Sequence, residues 1–205
     1  MSGSPVVYIV DDDTDARDSA CALVSEMSLR AIAFRSAEEF LNSYDGYRPA
    51  CLLTDHHMLG MTGVELLETL RANEVSLAVV VMTAFAETEL TVRAIRSGAV
   101  TLLEKPFSNT ALWRAIHQAL SEDRQQFADE AKLLLIRKRL DSLTESEREV
   151  LTVICRGEPN KSVALKLDVS VRTVEGRRSS IFEKMGVFPI AELVQLVMIA
   201  RPELC

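Results

Sequence analysis

The stretch CLLTDHHM, Cys51 to Met58, runs apolar and then stops abruptly at Asp55, with two histidines behind it. The same pattern recurs along the first half of the chain. VVYIV (6–10) runs into Asp11 and Asp12, LAVVVM (77–82) into Thr83, and VTLL (100–103) is followed shortly by Lys105, while AIAF (31–34) is a fifth short apolar run. Short β-branched or apolar runs without alternation are what strands buried on both faces produce. Helical stretches lie between them: Leu23, Val24 and Met27 form one apolar stripe, Ser36 and Glu39 stand at capping-box spacing, and GVELLETLRA (63–72) and ELTVRAIRSG (89–98) follow, the latter stopped by Gly98. A last helix starting near Ser108 carries Leu112, Ile116 and Leu120. Alternating strands and helices over this span predict an α/β fold, a doubly wound five-stranded parallel sheet with helices on both sides.

From Ser121 to Arg139 the sequence is polar and helix-prone, read as a helical linker over 123–140. Only helices are predicted after it: TESEREVLTVICRG (144–157, with Thr144 and Glu147 at capping-box spacing), NKSVALKL (160–167), VRTVEGRRSSIFEKM (171–185) and IAELVQLVMIA (190–200). The expected organisation is therefore an α/β domain over 1–122, the linker, and a small all-α domain over 141–205.

Composition agrees with two modules. In 205 residues, 48% are hydrophobic and 26% charged, enough for packed cores, and no apolar run approaches a bilayer span. The N-terminus lacks a basic region ahead of its first apolar run, which argues against a signal peptide, and Cys21, Cys51, Cys155 and Cys205 are scattered, which points to reduced thiols and a cytoplasmic protein. Residues 1–120 hold 9 basic and 16 acidic residues, and residues 140–205 hold 9 and 10, so the first half repels polyanions and the second does not.

Asp11, Asp12, Asp55, Thr83 and Lys105 each sit just past a strand, and in an open parallel sheet that edge is where ligands bind. Crowded carboxylates need a cation; Mg²⁺ suits oxygen ligands and takes one or two carboxylates with waters and phosphate oxygens. Carboxylate, metal, ammonium and hydroxyl together suit phosphoryl transfer to an aspartate. A transition metal held by His56 and His57 is the competing reading. Adjacent residues in an extended segment point to opposite sides, and imidazole does not suit Mg²⁺, so the carboxylate is taken as the chemical centre. His117 reads as a surface residue.

IVDDD, TDHHMLGMTG, VVMTA and LEKPF resemble the receiver domain of two-component response regulators, a flavodoxin-like fold, over roughly residues 4–122. The resemblance implies that Asp55 is the phosphoacceptor and that Thr83 and Lys105 bind the phosphoryl group. Mg²⁺ would be held by Asp12, Asp55 and the His57 backbone carbonyl, with Asp11 acting mainly through water. It also implies a cis peptide before Pro106, and it leaves the His57 ring near the site mouth, where it affects phosphoryl lifetime. Two departures stand out: Leu59 replaces a common proline, and Leu102, at a switch position that usually holds an aromatic coupled to Thr83, leaves the mode of signal transmission open.

LTESEREVLTVICRGEPNKSVALKLDVSVRTVEGRRSSIFEKMGV resembles the LuxR-type helix-turn-helix DNA-binding domain over about Asp141 to Ala200, and the two modules together resemble the NarL/FixJ subfamily. At helical spacing Val174, Ile181 and Met185 form a core stripe, with Arg172, Gly176, Ser179 and Glu183 nearly opposite. Lys161, Arg177 and Lys184 are candidate phosphate ligands. The resemblance turns Glu175, Gly176 and Ser179 toward the major groove, with Arg172 and Thr173 beside them. Arg178 is open between DNA contact and pairing with an acid such as Glu147. Implied partners are a sensor histidine kinase, promoter DNA, a second copy of the chain meeting through Val92 and Arg96, and RNA polymerase as a further candidate; no membrane is implied. The expectation is a non-enzymatic regulator phosphorylated on Asp55. A phosphorylation-independent DNA-binding regulator and an Mg²⁺-dependent aspartyl-phosphate enzyme remain the alternatives.

Overall fold

The computed structural model describes residues 4–204; Met1, Ser2, Gly3 and Cys205 lie outside it, and with them the reading of Cys205 as a reduced thiol and the outermost ends of both expected domains. Five strands, β1 (Val6–Val10), β2 (Arg30–Phe34), β3 (Ala50–Asp55), β4 (Ala78–Thr83) and β5 (Thr101–Glu104), form one sheet in the order β2-β1-β3-β4-β5, and every neighbouring pair is parallel. Side chains alternate across a strand, so each strand feeds two cores. Val6, Tyr8, Val10, Leu52, Val79 and Val81 pack under α2 (Ala37–Ser43), α3 (Gly63–Ala72) and α4 (Thr88–Arg96) through Phe40, Leu66, Leu67, Leu70 and Ala94. Val7, Ile9, Cys51, Leu53, Val80 and Met82 pack under α1 (Thr14–Glu26) and α5 (Asn109–Asp141) through Ala20, Val24, Leu112, Ile116 and Ala119. This is the doubly wound five-stranded sheet expected from the sequence.

Strand order reverses between β1 and β3, because the chain first steps from β1 outward to β2 and then returns to β1's other side. That switch point opens a crevice at the carboxyl ends of the two strands that lead into Asp11 and Asp55. Helix ends follow local chemistry. Thr62 and Glu65 make a full capping box on α3, which the sequence reading did not single out. At Ser36 the box is only half formed: Ser36 Oγ accepts the Glu39 N–H at 3.2 Å, but the Glu39 carboxylate takes the Arg35 N–H at 2.9 Å instead of that of Ser36. Gly98, one residue past the α4 cap, sits at φ +90°, the left-handed position a helix stop needs.

The second unit contains α6 (Glu145–Cys155), α7 (Asn160–Lys166), α8 (Val171–Met185), α9 (Ile190–Ala200) and a short 3₁₀ turn at Pro202–Leu204. Val150, Leu151, Ile154, Val163, Val174, Ile181, Met185, Leu193 and Val197 make its core. The stripe Val174, Ile181, Met185 is buried, and Arg172, Gly176, Ser179 and Glu183 opposite it are exposed. Thr144 and Glu147 complete a capping box at the start of α6.

The linker expectation over 123–140 needs correcting. The segment is helical throughout, but it is not a separate element. It is the second half of α5, and the division between compact units falls inside that helix, between Ala128 and Asp129. Asp123 is fully buried in the first unit, while Ile136 and Leu140 are part of the second unit's core; residues 124–132 between them are exposed. A polar average over the segment hides these anchors because each occupies only one position per turn.

Candidate functional site

The crevice at β1 and β3 gathers three of the expected side chains. Lys105, just past β5, donates from Nζ to Asp55 Oδ1 at 2.6 Å and to Asp11 Oδ2 at 2.9 Å. Asp11 and Asp55 are 2% and 7% exposed, so one half-buried ammonium serves two buried carboxylates. The other Asp55 oxygen, Oδ2, accepts the His57 N–H at 2.7 Å, and the Asp13 N–H donates to Asp11 Oδ1 at 3.0 Å. Burial lifts the Asp11 carboxyl above its ordinary range despite the opposing pull of Lys105. Burial also works against charge on Lys105, yet its bonds to Asp55 and Asp11 prevail and raise it.

Asp12 does not join this group. Its Oδ2 accepts the Leu59 N–H at 2.8 Å, and among the described residues no three acidic, histidine or cysteine side chains converge as a ready-made metal cage. The donor set nonetheless fits Mg²⁺. It is all oxygen, it offers the two carboxylates Mg²⁺ ordinarily uses, and a single ammonium between them leaves net negative charge to be met.

Thr83 closes β4 and is fully buried; its hydroxyl donates to the Phe85 carbonyl at 3.2 Å and accepts the Phe85 N–H at 3.3 Å. Leu102 packs, partly buried, against the core under α2, α3 and α4. The peptide before Pro106 is cis, as expected. His56 and His57 differ from expectation: their rings meet edge to face, with centroids 4.6 Å apart. Strict alternation would have separated them, but the strand ends at Asp55 and the backbone turns. Burial, with His57 and Arg93 acting the same way, pushes the His56 imidazole down and keeps it neutral near pH 7. His117 is exposed, as expected, and packs against Trp113 with ring centroids 4.0 Å apart and planes tilted by 34°.

One site residue escaped the sequence reading. A Cβ on Gly63 would lie 2.3 Å from the Asp55 carbonyl oxygen. The start of α3 is therefore seated directly on the backbone of Asp55, an approach only glycine permits. Its signal was present in MTGVE, where a glycine opens a helix that another residue would start better. Gly63→Ala forces backbone apart and is expected to lower stability by about 2 kcal/mol, read as a lower urea midpoint with an unchanged slope.

In the second unit, α7 and α8 flank a turn at Asp168, which has φ +52°. Ser170 caps α8, accepting the Thr173 N–H at 3.0 Å, with the two hydroxyls 2.8 Å apart. Lys161, Arg172, Thr173, Glu175, Gly176 and Ser179 are exposed and Arg177 half-exposed. Ser179 Oγ also bonds back to the Glu175 carbonyl at 3.1 Å. Two expectations change. Lys184, read as a phosphate ligand, instead donates to buried Glu147 Oε2 at 2.7 Å, because the acid that caps α6 also faces α8. Arg178 does not pair with Glu147; it donates to Asn160 Oδ1 at 2.7 Å and lies 5.9 Å from the centre of the Phe182 ring. Arg139, from the segment read as linker, donates to the Met185 carbonyl at 2.7 Å and so closes the C-terminal end of α8. No sequence signal marks that contact.

A Cβ on Gly176 would meet nothing within 4 Å, so packing gives no reason for glycine in mid-helix. Gly176→Ala is expected to stabilise the second unit by about 1 kcal/mol, read as a higher urea midpoint.

Sequence profiles of the response regulator receiver domain match residues 7–117, and those of the bacterial regulatory proteins of the luxR family match residues 141–199. The chain belongs to the two-component response regulators of the NarL/FixJ subfamily, with a receiver domain and a LuxR-type DNA-binding domain that regulates transcription. Its relatives include the transcriptional regulatory protein FixJ of Azorhizobium caulinodans, 34% identical over 98% of this chain and 95% of that one, and FixJ of Rhizobium meliloti, 36% identical over 94% of each. The response regulator TodT of Pseudomonas putida is 32% identical over 93% of this chain and 84% of that one. Among solved structures, response regulator StyR superposes with a TM-score of 0.82 at 34% identity, covering 96% of this chain and all (100%) of that one. Full-length FixJ from B. japonicum superposes with 0.59 at 32% identity, covering 98% of both. Among the described residues no helix is long and apolar enough to cross a membrane.

Proposed function

We propose that Asp55 accepts a phosphoryl group from the phosphohistidine of a cognate sensor kinase and that this modification controls pairing of the chain and its binding to promoter DNA in the cytoplasm. The observation carrying this reading is the Lys105 ammonium shared between Asp55 at 2.6 Å and Asp11 at 2.9 Å in the switch-point crevice. Each carboxylate oxygen has two acceptor directions, so Asp55 keeps a lone pair while bonded to Lys105 and His57. An Asp55 oxygen attacks phosphorus, the bond from phosphorus to the donor imidazole nitrogen breaks, and the imidazole takes up a proton from water. Lys105 then neutralises charge on the phosphoryl oxygens, and the Thr83 hydroxyl leaves the Phe85 carbonyl to donate to one of them. Asp11, Asp55 and the His57 carbonyl would hold Mg²⁺, with Asp12 joining after releasing Leu59; bound there, the ion supplies charge neutralisation at the transferring group. The His57 backbone N–H positions Asp55, and the exposed His57 ring at the mouth sets access of water to the acyl phosphate.

Val92 and Arg96 are exposed on α4, with Ile95 beside them, which supports α4 as the pairing surface. In the second unit, Arg172, Thr173, Glu175, Gly176 and Ser179 face DNA, with Lys161 and Arg177 on phosphates. Lys184 is left out of this set because Glu147 holds it. On this reading the chain acts as a regulator through the modification of Asp55.

The test is sedimentation and DNA binding before and after acetyl phosphate with Mg²⁺. Pairing and tighter binding together support the reading; unchanged mass and affinity after stoichiometric labelling of Asp55 overturn it. One observation favours a second reading. Leu102 has no ring to follow Thr83, and the Thr83 hydroxyl bonds to the Phe85 backbone in its own loop. If DNA binding ignores the modification, the chain is a phosphorylation-independent regulator.

A further inference from the structure

We infer that Arg48 and Asp123 form a clamp that fixes the point at which α5 leaves the receiver, and that transmission of the phosphorylation state to the DNA-binding unit depends on it; the second part rests on the proposed function above. Asp123 is fully buried, although residues 121, 122 and 124–132 around it are exposed. Its Oδ2 accepts the N–H of Ala50 at 3.0 Å. Ala50 opens β3, the strand whose last residue is Asp55.

Arg48, in the loop before β3, completes the grip. Its Nε lies 3.1 Å from Asp123 Oδ1, a terminal nitrogen donates to the Asp123 backbone carbonyl at 2.9 Å, and its guanidinium sits 5.3 Å from the centre of the Phe127 ring. One arginine thus holds a whole turn of α5, from Asp123 to Phe127. A buried ion pair is a poor way to gain stability, since apolar residues of similar volume do as well or better; what it supplies is a single register. An apolar contact here would let the helix slide or rotate, whereas the planar fork and the carboxylate fit in one arrangement.

The helix held this way is joined to the site by the chain at its start and to the opening of β3 at the clamp. It begins at Asn109, shortly after Lys105, and at Asp123 it is tied to the strand that carries Asp55. Beyond the clamp it continues unbroken to Asp141. Rearrangement around Asp55 and Lys105 therefore reaches the continuing helix through a defined fixed point, and loosening that point separates phosphorylation from its output.

The experiment uses the full chain and two conservative variants. Arg48→Lys keeps the charge but loses the fork, the carbonyl bond and the ring contact; Asp123→Asn keeps an acceptor for Ala50 but loses the charge. Three quantities are read: phosphoryl uptake from acetyl phosphate with Mg²⁺, amide hydrogen exchange across residues 120–130, and the gain in affinity on phosphorylation for a DNA site selected from a random pool. Both variants are expected to take up phosphoryl within about twofold of the parent rate. Exchange should rise about tenfold in that segment, and the phosphorylation-dependent gain should fall about tenfold. Unchanged exchange overturns the clamp, and faster exchange with the full gain retained overturns its role in transmission. Uptake falling in parallel with the gain also overturns it, since the pair would then merely support the receiver. A parent chain that is labelled but shows no gain sinks the proposed function and the transmission role together, whereas a parental gain that survives in both variants sinks the transmission role alone.

Discussion

Asp55→Asn is expected to end phosphoryl uptake: after acetyl phosphate and Mg²⁺, intact-mass spectrometry should find only the unmodified chain, and DNA binding should no longer respond to the donor. Asparagine has the shape of aspartate, but only one of its two ends is an acceptor: with its oxygen toward Lys105 the amide faces the His57 N–H, so one hydrogen bond is given up while the crevice keeps its form. Its amide is no nucleophile toward phosphorus, and the loss in rate is expected to reach about 10⁴-fold or more. Stability is not the cause of the loss. Removing one of two carboxylates that share an ammonium relieves repulsion, and Lys105 retains Asp11 at 2.9 Å. The Asn variant should therefore unfold at the same urea concentration as the parent or a higher one. Labelling that persists in the variant on Asp11 or Asp12 would assign the chemistry to a different carboxylate and overturn the assignment.

The second large effect lies in the DNA-binding unit. Glu147 is 6% exposed and takes three kinds of donor: the Thr144 N–H at 2.7 Å, the Ser180 hydroxyl at 2.6 Å and the Lys184 ammonium at 2.7 Å. Burial by itself would raise this carboxyl, but Lys184, Ser180 and Thr144 outweigh it and hold the group at about 2, below the ordinary 4.5. A carboxylate with a lowered folded value contributes stability that is complete above its unfolded value and disappears as pH falls through its folded one. The parent should thus lose stability between pH 4.5 and about 2 on this account. Glu147→Gln keeps the side-chain shape and an oxygen for the Thr144 N–H, but leaves Lys184 without its charge partner. It is expected to cost about 3 kcal/mol at neutral pH and to flatten the acid limb. Urea titrations at several pH values, followed by far-UV circular dichroism, measure both. A variant that matches the parent at neutral pH would show that α6 and α8 are held together by their apolar contacts alone.

Much of the receiver was legible because its rules are local. A buried parallel strand has to be apolar on both faces, so VVYIV, CLLTD and LAVVVMT announce themselves, and the abrupt change at each strand end marks the edge where chemistry sits. Asp11, Asp55 and Lys105 are far apart in sequence yet were placed together on that ground alone, and the structure brings them within hydrogen-bonding distance. The stripe Val174, Ile181, Met185 was readable in the same way from helical spacing.

What failed were expectations that depend on which partner a side chain finds. Lys184 looks free in sequence because no acid stands three or four residues from it on the helix, but Glu147 meets it across the packing of α6 on α8. Arg178 was weighed against Glu147 and went to Asn160 instead. Strand alternation would part His56 and His57, but the strand ends at Asp55 and their rings meet.

By itself, then, the sequence determined the order of strands and helices, the two cores, and the carboxylate, hydroxyl and ammonium groups available at the sheet edge, since periodicity and strand-end chemistry are written residue by residue. Only the tertiary structure decided that α5 runs unbroken past its receiver, that Gly63 lies against the Asp55 backbone, and that Arg48 reaches Asp123 and Arg139 the end of α8. Those contacts join residues distant along the chain, with a geometry that appears only once the helices have packed, so no local pattern of residue types records them.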